Sequence, residues 1–180
     1  MDVSQLLTDL FDEKTLKELA KDKQVEPEKV TKVAQMGVPV LLEKLGINAQ
    51  NEEKRTSLEK ALKDHEDDDV SDVLGFLKQV DQEDSSKMLN HILGSKKDTV
   101  AQGIAKQSGL DMGEVVSMLS MLAPLVMGYL GNQKKQQSTQ KDSGGLGDLL
   151  GKVTKQVKAS DKTDSSIGDM LTGMLGGLFK

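Results

Sequence analysis

The residues able to do chemistry in this chain are few. Its two histidines are His65, in the run Asp64-His65-Glu66-Asp67-Asp68-Asp69, and His91, in Leu89-Asn90-His91-Ile92. Imidazole and carboxylate side chains together can ligate a divalent cation. Acids that follow one another directly, however, send their side chains in diverging directions. The alternating Asp/Asn pattern of a calcium loop, with its central glycine and closing Glu, is absent. A metal site here would need His65 and His91 to meet in space. The expectation is instead a solvated acidic turn at a helix end, with no metal and no cofactor. The chain has no cysteine, which excludes disulfides, thiolate metal sites and a cysteine nucleophile, and fits a reducing cytoplasm. A nucleophile elbow, a phosphate-cradling loop after a strand and a zinc-protease pair are all missing. Gly144, Gly145, Gly147 and Gly151 follow no strand signal. The chain reads as a protein that is not an enzyme.

Two further patterns suggest binding. Ile104, Ala105, Gly109, Leu110, Val115 and Met118 have the spacing of a helix-turn-helix. A DNA reader needs polar or basic groups at the start of its second helix. This segment offers Asp111, Met112, Gly113 and Ser117, so a helical hairpin used for packing is the better reading. Residues 115–133 carry no charge, a length that could span a bilayer. Ser117, Ser120, Pro124 and Gly128 dilute the run, and a buried central helix accounts for it.

An internal repeat supports both judgements. Residues 19–46 and 104–131 align without a gap at an offset of 85, with Ala20 on Ala105, Lys21 on Lys106, Val30 on Val115, Met36 on Met121, Pro39 on Pro124, Leu45 on Leu130 and Gly46 on Gly131. Such self-similarity indicates two copies of one supersecondary unit. The first copy carries Lys32, Glu43 and Lys44 where the second is uncharged, and each is costly in a bilayer. Pro27 suits the first helical position of copy one. Asp111 and Glu114 form a capping box at the matching place in copy two. Pro39 and Pro124 predict a kink or break in each long helix, and Gly46 and Gly131 predict its stop.

The remaining periodicity is also helical. Val3, Leu6, Leu7, Leu10 and Phe11 mark an amphipathic first helix, and Leu16, Leu19 and Ala20 a second. Leu58, Ala61 and Leu62, then Val70 through Val80, then Met88, Leu89, Ile92 and Leu93 mark three more. Residues 133–143 read as a flexible linker. Beyond it, Leu146, Leu149, Leu150, Val153 and Val157 keep helical spacing, as do Ile167, Met170, Leu171, Met174, Leu175 and Leu178. Leu146-Gly147-Asp148-Leu149-Leu150 and Ile167-Gly168-Asp169-Met170-Leu171 match at an offset of 21. Glycines weaken both tail helices, so they should form fully only against a surface.

Charge separates body from tail. Residues 1–131 hold 16 basic and 24 acidic residues, net −8; residues 132–180 hold 8 and 5, net +3. An acidic body lacks the phosphate-neutralising groups that give nucleic-acid affinity. The N-terminal residues Met1-Asp2-Val3-Ser4-Gln5 show no secretory signal.

Leu58-Glu59-Lys60-Ala61-Leu62 followed by His65, then Lys87-Met88-Leu89-Asn90-His91-Ile92-Leu93-Gly94, then Ala105 and Ser108-Gly109-Leu110, then Met121-Leu122-Ala123-Pro124 through Leu130-Gly131 form an ordered set. This set resembles a bacterial domain-of-unknown-function family (937, YidB-like) over roughly residues 1–131. The resemblance implies an all-helical fold and a bacterial origin, and it transfers no activity. The chain departs from the family at residues 83–86, where a glycine is often found after the aspartate.

The expected architecture is all-α: a multihelical bundle of two pseudo-repeated units with kinked central helices at Pro39 and Pro124. Its two-repeat domain covers residues 1–131 (repeat one about 1–50, connecting helices 51–83, repeat two about 84–131). A tail with two short amphipathic helices covers 132–180. The expected role is a cytoplasmic interaction or assembly module that binds a protein partner or itself through Leu146, Leu149, Leu150, Leu171, Met174, Leu175 and Leu178. Nucleic-acid association through the helix-turn-helix-like units is the alternative. Peripheral membrane contact through the apolar face of the tail is the second alternative.

Overall fold

In a computed structural model of the chain, residues 3–139 and 146–160 are described. They form α1 (Val3–Leu10), α2 (Glu13–Lys23), α3 (Pro27–Gln50), α4 (Glu52–Asp64), α5 (Val73–Gln79), α6 (Gln82–Leu93), a 3-10 turn (Gly94–Lys96), α7 (Lys97–Ser108), α8 (Met112–Thr139) and α9 (Leu146–Ser160). No strand occurs among the described residues. The all-α reading therefore holds.

The two long helices α3 and α8 pack on each other at the centre, and the shorter helices surround them. Helices α2 and α9 lie on α3, α6 and α5 on α8, and α4 and α7 touch both. Aliphatic side chains fill the space between, with Leu41, Leu45, Leu62, Leu119, Leu125 and Leu130 fully buried. Each such side chain contributes about 1.5–3 kcal/mol on leaving water. With so few aromatics, many aliphatic contacts replace a few large ones.

The hairpins α2–α3 and α7–α8 turn at positions 85 residues apart. Gln24 and Gly109 both adopt the left-handed conformation, with φ of 55° and 73°. The Gln24 N–H donates to the Lys21 carbonyl at 3.2 Å, and the Gly109 N–H to the Ala105 carbonyl at 2.9 Å. Each long helix then starts three residues on, at Pro27 or Met112. Copy one begins with Pro27 at its first position and makes no side-chain cap. Copy two uses a reciprocal capping box: Glu114 N–H donates to Asp111 Oδ1 at 2.8 Å, and Asp111 N–H to Glu114 Oε2 at 2.9 Å.

Three local expectations are corrected. Of the kink or break expected at each proline, the break does not occur, because Pro39 and Pro124 sit inside continuous helices. Proline removes one backbone bond, yet each helix continues through it, with Pro39 and Pro124 both buried. Gly46 and Gly131 are not stops either, since α3 runs to Gln50 and α8 to Thr139. Neither has positive φ, so neither provides the left-handed cap that ends a helix. The stop of α3 is Asn51, whose Oδ1 accepts the Lys54 N–H at 3.1 Å and starts α4.

The flexible linker expected at 133–143 is corrected over 133–139, and its residues 140–143 lie outside the described residues. Residues 133–139 are helical and continue α8 past the expected boundary at 131. Asn132 fixes this extension: its Nδ2 donates to the Gly128 carbonyl at 2.8 Å and to the Asp68 carbonyl at 3.0 Å. Lys135 pairs with Asp67. Gln and Lys are good helix formers once such an anchor exists.

Candidate functional site

Helix α9 places three of the seven candidate binding residues. Leu146, Leu149 and Leu150 are 7%, 3% and 1% exposed, and Val153, one turn on, is 4% exposed. These positions follow i, i+3, i+4 and i+7, one face of a helix. That face is applied to α3 and α1. Gly147, Asp148, Gly151, Lys152 and Lys155 are exposed. Lys152 pairs with Asp148 inside the same helix at 2.8 Å. The docked face is therefore apolar and the free face polar. Val153 belongs to the stripe by its spacing and completes the set. Leu171, Met174, Leu175 and Leu178 lie outside the described residues.

The glycines of α9 differ from those of the core. A Cβ on Gly147 or Gly151 would meet nothing within 4 Å. Neither has positive φ. Each therefore weakens the helix by roughly 0.5–1 kcal/mol relative to alanine without serving a turn or a close approach.

The acidic run folds into the wall of an open cleft of about 700 Å³. Its rim carries His65, Asp68, Asp69, Asp72, Asp81 and Asp84; Phe76, Val80, Met88 and Pro124 supply apolar lining. His65 Nδ1 lies 2.7 Å from Asp68 Oδ2. The aspartates have local structural tasks. Asp72 Oδ1 accepts the Gly75 N–H at 3.0 Å and caps α5. Asp81 Oδ1 accepts the N–H groups of Glu83 and Asp84 at 3.0 and 2.9 Å and caps α6. This cap puts residues 83–86 into the first turns of α6. Asp69 takes the Ser71 hydroxyl and N–H, which hold its carboxyl below the ordinary 3.8. His91 is exposed on α6 and does not line the cleft. Among the described residues, no group of three or more His, Asp or Glu is arranged to hold a metal ion. Asp72 and Asp81 were legible as caps, each standing just before a short apolar or polar helical run.

The helix-turn-helix-like hairpins bury one face of each second helix and leave its start exposed, at Pro27 and Glu28 in α3 and at Met112 and Gly113 in α8. In α3, Val30, Val33 and Leu41 are buried; in α8, Val115, Leu119 and Val126 are. The segment Met112–Gln136 is long and apolar enough to cross a membrane, and 72% of its most apolar window is buried by the surrounding protein.

These features define a multihelical scaffold with two central helices and an amphipathic C-terminal helix seated on its surface. The sequence pattern of the bacterial proteins of unknown function DUF937 matches residues 5–133, and the chain belongs to that family. The YidB-like resemblance is consistent with this match. No curated protein and no solved structure matches the chain. The matched span ends within α8, so α9 lies beyond it.

Proposed function

We propose that the protein is a non-catalytic interaction or assembly module of the cytoplasm whose C-terminal amphipathic segments are its recognition elements. One observation carries this reading: the Leu146, Leu149, Leu150 and Val153 stripe of α9 is buried on the face made by α1 and α3. The body thus has a surface that accepts an amphipathic helix. The sequence provides a second segment of the same pattern, from Ile167 to Leu178. With α9 occupying the body, that second segment is the part assigned to a protein partner. The exposed starts of α3 and α8 argue against the nucleic-acid alternative, because Glu26, Glu28 and Asp111 set acidic groups where a recognition helix would meet phosphates and base edges.

The test compares the full chain with the L171E/L175E variant. Native chain should recover a partner, or run as a larger assembly in light scattering, and the variant should lose that contact while keeping its helical spectrum. Equal partner recovery and equal assembly size for the two chains would overturn the proposal.

A further inference from the structure

We infer that α9 is an exchangeable latch, and that the α1–α3 face it covers also accepts α9 from a second copy of this chain. The inference rests on the interaction reading above and names the partner for one of its surfaces.

The glycines of α8 and those of α9 stand in contrasting surroundings. A Cβ on Gly128 would stand 2.8 Å from Val70 Cγ1, and one on Gly131 would stand 2.5 Å from the Leu62 carbonyl oxygen. Those positions require glycine because α8 passes close to its neighbours. Gly147 and Gly151 face open space in an ordinary helical conformation. Their effect is therefore on the helix itself, which they make easier to unfold. An element with weak helical propensity, held by one apolar stripe, opens locally before the rest of the fold.

When α9 leaves, it uncovers an apolar face on α1 and α3, and its own stripe is uncovered with it. The two surfaces are complementary because they were in contact. Apolar contact is not directional, so the same seat accepts the same helix from another molecule. The connector, residues 140–145, has six residues including Gly144 and Gly145. Mutual exchange of α9 between two copies closes under a two-fold axis, so the product is a dimer rather than a filament.

Three full-length chains test this: native, G147A/G151A and L149E/L150E. Hydrogen exchange at low concentration reads the opening of α9, and light scattering from micromolar to millimolar concentration reads assembly. Native α9 amides should exchange at least ten-fold faster than those of the buried part of α8. The two alanines should slow α9 exchange by about ten-fold. The native chain should form a dimer as concentration rises. G147A/G151A should reach the same equilibrium about ten-fold more slowly, and L149E/L150E should stay monomeric, with the helices of the body retained and α9 open to exchange. The inference is overturned if α9 is as protected as α8, if the alanines leave its exchange unchanged, if the native chain stays monomeric throughout, or if a dimer persists in L149E/L150E. The alanine variant keeps the test decisive even where the glutamates unfold the chain. None of these results alters partner recovery through Leu171 and Leu175, so failure of the exchange is distinguishable from failure of the interaction reading.

Discussion

A Cβ placed on Gly131 would stand 2.5 Å from the backbone carbonyl oxygen of Leu62, where α8 crosses the last turn of α4. The backbone of Glu66 lies only 3.0 Å from the same point. Backbone atoms cannot rotate aside, so this crossing depends on the missing side chain. G131A should therefore destabilise the fold by about 1–3 kcal/mol, the usual cost of overpacking. Gly46 is its counterpart in the repeat, and a Cβ there would meet nothing within 4 Å. G46A should stabilise by about 0.5–1 kcal/mol, as expected for a glycine inside a helix. Urea unfolding of the two variants checks the pair. A loss of stability in both would show that sequence equivalence outweighs the local geometry.

This pair shows what the sequence could and could not reveal. The hydrophobic periodicity and the matched positions placed the helices, because burial of one face leaves a 3.6-residue signature. The roles of Gly46 and Gly131 were illegible, because a glycine needed for close approach looks like one that ends a helix. The extension of α8 was hidden for a similar reason. Asn132 bonds to the carbonyl of Asp68, a residue 64 positions earlier, and no local pattern reports such a contact. For the candidate site, the stripe Leu146, Leu149, Leu150 and Val153 was legible from spacing. That it faces α1 and α3 was not, since an amphipathic helix does not state its seat.

Asn48 offers a test of the buried polar contacts. Its Nδ2 donates to the carbonyl of Ile92 at 3.0 Å, tying α3 to the end of α6, and the residue is 4% exposed. Asn48→Ala removes the donor and leaves that carbonyl without this partner. The expected loss is about 1–3 kcal/mol, measured by thermal or urea unfolding. An unchanged midpoint would show that another donor takes its place.

Lys44 predicts a pH dependence. Burial, and then the neighbouring charges of Lys54 and Lys96, hold its ammonium below the ordinary 10.5. Between the lowered folded value and 10.5 the unfolded chain binds more protons, so this group makes stability rise with pH through that window. Below the window the charge is carried at full cost. Lys44→Gln should therefore raise the melting temperature at neutral pH, and the gain should shrink as pH approaches 10.5. Added salt should also shrink it by screening the lysines. A gain that grew with pH, or a loss at neutral pH, would contradict this assignment.

The two matched turns supply the last prediction, in which one backbone shape is met by two residue types. Gln24 holds φ of 55° where its counterpart Gly109 holds 73°. For a residue with a Cβ the left-handed region costs about 1–2 kcal/mol; glycine is exempt. Glycine's larger entropy in the unfolded chain gives back part of that difference. Gln24→Gly should therefore stabilise by about 0.5–1 kcal/mol. The reverse change, Gly109→Gln, should destabilise by a similar or larger amount. Its cost should be conformational, because the nearest atom to a Cβ at position 109 is Lys29 Cε at 4.0 Å. Urea unfolding separates the two, with midpoints moving in opposite directions and slopes unchanged. Shifts of the same sign would mean that the turns tolerate side chains differently from their dihedral angles, and would remove the shared turn as support for two equivalent units.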